Sequence, residues 1–155
     1  MNTKPTLRKA PITFTSTNIV IRMIDTIGFR YNCAIFKLDD SIDSFRPADS
    51  QMSFLELQEH IFDLLKFINK AINPNYQKSE FSKEKIHQQI EIIRERLNEN
   101  NFKPEDVEIY EKDFWHVISG PLSDILTHIG QLNTYRSMAG NKNKKISYFK
   151  GIVSE

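Results

Sequence analysis

Apolar residues return every three or four positions along most of this chain, and polar residues fill the intervals between them. That period predicts amphipathic helices. In the first, Val20, Ile24, Ile27, Tyr31, Ala34 and Leu38 share a face, Ser16, Thr17 or Asn18 supplies the cap, and Asp39-Asp40-Ser41 ends the stripe. The second opens on Ser53-Phe54-Leu55-Glu56, a capping box, with Met52 and Leu57 as its hydrophobic staple. Leu57, Ile61, Leu64, Leu65, Ile68 and Ile72 form its buried face, Gln58, Glu59, Asp63, Lys66 and Asn69 its wet face, and Asn73-Pro74 its end. A third helix starts after Ser82, carries Ile86, Ile90, Ile93 and Leu97 inward, turns Gln88, Glu91, Arg94 and Glu95 to water, and stops at the polar run 98–101. The fourth covers residues 121–140, PLSDILTHIGQLNTYRSMAG, with Leu122, Ile125, Ile129 and Leu132 as its stripe. Pro121 occupies its first turn or kinks a helix begun near Asp113, and Gly140-Asn141 closes it.

The intervals complete the outline. Residues 1–15 read as an extended lead-in, because Pro5 and Pro11 oppose helix. Residues 39–52 are a long polar loop. Residues 107–114 are a helical turn or irregular, and Phe114 and Trp115 must pack somewhere. The tail, 141–155, holds Ile146, Tyr148, Phe149, Ile152 and Val153, enough to dock on the helices. No segment alternates as a strand would, and no internal repeat is present. The expectation is an all-α four-helix bundle in a single domain, 1–155, with a long connection between the first two helices that leaves room for a crossover.

Composition changes this picture little. With 155 residues and a net charge of +1, the chain gives no electrostatic argument for nucleic acid or an anionic membrane as partner. The basic run Lys142, Lys144, Lys145 is read as a solvated segment. The single cysteine, Cys33, rules out an intrachain disulfide, suits a reducing cytoplasm, and falls in a helical pattern as a small core residue. No apolar run reaches the length of a membrane span, and no signal peptide is expected.

Polar residues bordering the stripes carry the chemistry. Asp124 and His128 lie four apart on the fourth helix, about 5–6 Å apart at Cβ. His60 lies on the buried side of the second, three after Leu57 and four before Leu64. Unpaired burial of such groups is costly, so they meet each other, water or a metal. Two imidazoles and a carboxylate suit a divalent first-row metal and leave positions open for water or substrate. Gln131, one turn beyond His128, is placed to orient a ligand. His116 is the alternative ligand if the helix runs back through Pro121, His87 faces the charged side and is read as solvated, and Asp25 has no fixed direction.

The run Asp124-Ile-Leu-Thr-His128-Ile-Gly130-Gln131-Leu132, with Arg136 and Gly140 after it, resembles the last helix of the DinB-like (DinB/YfiT) proteins. Phe45-Arg46-Pro47, Met52-Ser53-Phe54 and Glu59-His60-Ile61 resemble that family's loop and second helix. The resemblance implies a four-helix bundle, often dimeric, with a divalent metal held by three histidines. His60 then matches the first ligand and His128 the last, while Asp124 stands where the family has its middle histidine. A two-histidine, one-carboxylate set turns preference toward harder metals; Zn, Ni, Mn and Fe are the candidates.

Two functional expectations result. One is a metal-dependent transferase or hydrolase acting on a small molecule, with a low-molecular-weight thiol as co-substrate and a homodimer as assembly. The other is a non-catalytic ligand-binding or stress-related bundle in which the same histidines and aspartate form a hydrogen-bonded cluster.

Overall fold

A computed structural model describes residues 4–99, 102–109, 112–142 and 145–153. The start of the lead-in, the end of the polar stop at 100–101, the centre of the 107–114 segment, Lys144 and the chain's last two residues lie outside the described residues. Four long helices dominate: α1 (Ser16–Ile35), α2 (Phe54–Ile72), α3 (Lys83–Leu97) and α5 (Ser123–Met138), the last preceded by a short α4 (Phe114–Val117). The fold class is all-α. No described helix is long and apolar enough to cross a membrane.

Local chemistry starts and stops these helices. Ser53 Oγ accepts from the Glu56 amide and Glu56 Oε2 from the Ser53 amide, so the capping box of α2 forms. The α1 cap is Thr15, one residue before those expected, because its Oγ1 accepts from the Asn18 amide. Ser82 stands at the start of α3 but makes no cap bond with its side chain. At the end of α5 the Asn141 amide reaches the Arg136 carbonyl and the Gly140 amide the Ser137 carbonyl. This pairing needs Gly140 in the left-handed region, at φ +82°.

Between α4 and α5 the chain makes one π-turn, Ile118–Leu122, with non-helical torsions at Gly120 and Pro121 inside. Pro121 therefore kinks a helix already begun, the second of the two expected alternatives. Phe114 and Val117 turn inward, whereas Trp115 is 74% exposed, against the expectation that it packs.

The stripes meet in one core. Ile24, Ile61, Leu65, Ile93, Ile125 and Leu132 are at most 1% exposed and belong to a single cluster fed by all four long helices. Burying each such side chain contributes about 1.5–3 kcal/mol before entropy is counted. Packing runs α1 to α3, α3 to α2, α2 to α5 and α5 back to α1. Helices α1 and α2, consecutive in the chain, therefore lie diagonally across the bundle. The long connection of residues 36–53 makes that crossing, with a 3-10 turn at Asp40–Ile42.

Three polar residues expected on wet faces are not there. Gln58 and Asn69 are each 2% exposed, because partners reach them across the core: the Tyr31 hydroxyl donates to Gln58 Oε1 at 2.8 Å, and Asn69 Nδ2 donates to Gln89 Oε1 at 2.9 Å. Arg94 is half-buried and donates from Nε to Asp25 Oδ1 at 2.8 Å, tying α3 to α1 and giving Asp25 an inward direction. His87 is also half-buried rather than solvated, its ring edge-on to Tyr31 with centroids 5.5 Å apart. Burial lowers its pKa.

Short strands appear where none was expected. Strands β1 (Glu108–Ile109) and β2 (Lys112–Asp113) pair antiparallel, as do β3 (Ile146–Ser147) and β4 (Ile152–Val153) in the tail. Val153 is buried with Phe29 and Cys33 in a second cluster, so the tail docks, although Phe149 is fully exposed. The lead-in joins through a bridge from Thr6 to Ile152 and a bond from the Leu7 amide to the Gly151 carbonyl, 2.9 Å.

Candidate functional site

His60 and His128 are brought together. They project from α2 and α5, adjacent helices, and both are half-buried. Their ring centroids are 4.7 Å apart with planes at 80°. His128 Nδ1 lies 2.8 Å from Gln131 Oε1, one turn along the helix. An amide oxygen only accepts, so Nδ1 carries the proton and a neutral His128 keeps its lone pair on Nε2. That is the state in which an imidazole binds a metal ion.

Asp124 is not in this pair's company. It is exposed and makes no hydrogen bond or ion pair among the described residues. The helical wheel explains why. At about 100° per residue, Asp124 lies roughly 120° from the centre of the stripe formed by Leu122, Ile125, Ile129 and Leu132, and His128 roughly 80° from it. His128 therefore sits at the rim and Asp124 beyond it. Spacing of four stacks the two residues along the helix but does not turn both inward. Among the described residues no group of three or more His, Cys, Asp or Glu side chains is placed to hold a metal ion.

His116 is exposed and stays at the start of α4, its Nδ1 2.8 Å from Asp113 Oδ1. That hydrogen bond holds the Asp113 carboxyl below its ordinary pKa. The chain leads from α4 into α5 across the kink at Gly120, and His116 is engaged with Asp113 at the start of α4 rather than with His128.

No protein-family model, curated protein or solved structure matches the chain. The site is therefore read from its own geometry.

Two features escaped the sequence reading. One is a cavity of about 480 Å³ where α1 ends and α2 begins, bordered by Leu38, Asp39, Asp43, Phe54, Gln58 and Lys83. Lys83 Nζ bonds Asp40 at 2.6 Å and Asp43 at 2.6 Å, closing one side with paired charges. The other is the role of Arg136, named in the sequence only as part of the resemblance: it is 6% exposed and donates from Nη1 to the Cys33 and Ala34 carbonyls in the last turn of α1. Arginine suits that place because the carbonyl end of a helix carries partial negative charge. Neither feature leaves a periodic signal, since each joins residues far apart in the chain.

Proposed function

We propose that this chain is a DinB-like bundle that binds a divalent metal between α2 and α5 and uses it in a transferase or hydrolase reaction on a small molecule, with a low-molecular-weight thiol as the favoured co-substrate. The His60–His128 pair carries this reading: two imidazoles from different helices, 4.7 Å between ring centroids, one with its lone pair directed by Gln131. The donor set fits in part. Imidazole nitrogens suit Zn, Ni, Mn or Fe. Asp124 is one turn from His128 and would supply a third ligand only by swinging in from solvent; water or substrate would otherwise have to complete the set.

The protein's own contributions follow from the geometry. His60 and His128 would bind, and Gln131 would hold the tautomer of His128. A bound divalent ion supplies Lewis-acid chemistry for polarising a substrate or lowering the pKa of a water or thiol. A cytoplasmic homodimer is part of the same proposal; the free, buried Cys33 is compatible with a reducing compartment.

The non-catalytic reading has its own support. Edge-to-face packing of two imidazoles, with Asp124 outside, is also how a satisfied aromatic pair packs. Metal analysis separates the two. After reconstitution with Zn, Ni, Mn and Fe, the enzyme reading expects near-stoichiometric metal in the wild type and loss of it in His60→Ala and His128→Ala. A wild type that retains no metal, with a melting temperature indifferent to every ion, would leave the non-catalytic bundle.

A further inference from the structure

Arg136 has more donors than its carbonyl partners use. Its Nε donates to the Asn141 carbonyl at 2.6 Å and its Nη1 to those of Cys33 and Ala34 at 3.2 and 3.1 Å. Its Nη2 makes no hydrogen bond among the described residues, and no described carboxylate pairs with it. Burial lowers the pKa of this guanidinium, as expected of a cation held away from water. A buried charge without a counter-charge is costly. The carbonyl end of α1 offsets part of that cost with roughly half an elementary negative charge.

Arg136 borders a cavity of about 190 Å³ between the end of α1, the end of α5 and the tail hairpin. A single water needs only about 10–15 Å³ of such space, so the cavity has room for a larger polar group. Phe36, Ile146 and Val153 make its apolar wall. Among the described residues its charged groups are Arg136, Lys37 and Lys142, with no aspartate or glutamate. This imbalance stands out in a chain whose 21 basic and 20 acidic residues otherwise cancel. Lys37 has a left-handed backbone, φ 58°, and its ammonium lies 5.5 Å from the centre of the Phe36 ring. Arg30 adds positive charge nearby: its guanidinium stacks on Tyr148, 4.3 Å from the ring centre, and its Nε is buried with no partner among the described residues.

We propose that this cavity binds a phosphate group, with Arg136 Nη2 as the directed donor and the Lys37 and Lys142 ammoniums as the remaining positive charge. Arginine presents a planar fork that matches phosphate oxygens, and three cations suit a dianion better than a single carboxylate. The site is separate from the His60–His128 pair, and its test does not depend on metal binding.

Phosphate binding is measured by thermal shift and calorimetry on the full chain at constant ionic strength, with inorganic phosphate and glycerol phosphate titrated separately and chloride as the control. A ligand that binds only the folded state raises its stability with concentration. The expected result is a phosphate-dependent rise in melting temperature absent with chloride. Lys142→Glu, on an exposed residue, should weaken binding about tenfold or more by placing a like charge beside the anion, while leaving the ligand-free melting temperature unchanged. Arg136→Lys keeps the charge near the α1 carbonyls and loses the fork, and should weaken binding further. Tighter binding of the monoester would identify the phosphate of an organic ligand; equal binding would identify the free ion. No rise beyond the chloride control, or equal affinity in wild type, Lys142→Glu and Arg136→Lys, would overturn the proposal.

Discussion

Tyr31→Phe tests how the bundle holds its diagonal. Tyr31 is fully buried on α1 and its hydroxyl donates to Gln58 Oε1 on α2, 2.8 Å away. These two helices lie diagonally in the bundle, and a long aromatic side chain joins them across the interior. Phenylalanine keeps the ring and its edge contact with His87, and removes only the donor. Gln58 Oε1 is then buried without its partner, which costs about 1–3 kcal/mol. Gln58 also borders the 480 Å³ cavity, where water can reach the amide, so the lower half of that range is expected. For a domain of this size the melting temperature should fall by roughly 2–8 °C. Urea denaturation followed by circular dichroism should show a lower midpoint at an unchanged slope. The double variant Tyr31→Phe/Gln58→Leu removes both polar partners and should recover much of the loss, because an apolar pair leaves nothing unsatisfied. Alkaline titration gives a second handle. Burial holds the Tyr31 phenol protonated well above its ordinary range. Its contribution is therefore intact below the unfolded pKa of about 10 and lost as pH rises beyond it, a loss that Tyr31→Phe should not show. A single variant within 0.5 kcal/mol of wild type, on the order of a neutral surface change, would refute the diagonal clamp. So would strictly additive single and double variants.

Further outcomes concern other contacts. His87 has a pKa lowered by burial, so the unfolded chain binds a proton first as pH falls below about 6.5; wild type should lose stability from there down to the folded pKa, and His87→Phe should flatten that slope in melts taken between pH 7 and pH 5. Asp25→Ala should cost about 2–4 kcal/mol in denaturant melts, because it leaves Arg94 half-buried without its carboxylate; Asp25→Asn should cost less. Gly151 has φ +65° and an added Cβ would lie 2.4 Å from the Leu7 Cβ, so Gly151→Ala should loosen the lead-in from the tail and speed proteolysis of both. If the His60–His128 pair binds metal, Gln131→Ala should weaken it about 10–100-fold by freeing the His128 tautomer, as read by competition with a chelating dye.

The legible parts of this molecule were local. The Ser53–Glu56 box is four residues long and encodes its own hydrogen bonds, and Gly140 announces a left-handed stop wherever it follows a helix. The stripe of α5 was legible too, since Leu122, Ile125, Ile129 and Leu132 need no partner's identity to mark a face. Gln58, Asn69 and Arg94 misled because an amide or guanidinium is read as wet until something across the core is known to receive it. Their partners, Tyr31, Gln89 and Asp25, lie 27, 20 and 69 positions away. Asp124 misled for a different reason: a spacing of four shows which residues stack, while the angular distance from the stripe decides burial. His60 and His128 were each visible as rim residues, but their meeting depends on α2 lying beside α5, which periodicity does not encode.

The order of helices around the bundle also sets a timetable for synthesis. Neither neighbour of α1 is the helix made next; they are α3 and α5. The carbonyl of Ala34 receives its bond from a residue 102 positions later. At about 5–20 residues per second, a nascent chain carries the apolar face of α1 for roughly 5–20 s before that partner exists. During this interval α2 and α3, joined by residues 73–82, can already form a hairpin. Of the four long helices, the earliest made is thus among the last to be enclosed, and substitutions that add apolar surface to α1 should lower the yield of folded protein more than the same substitutions on α3.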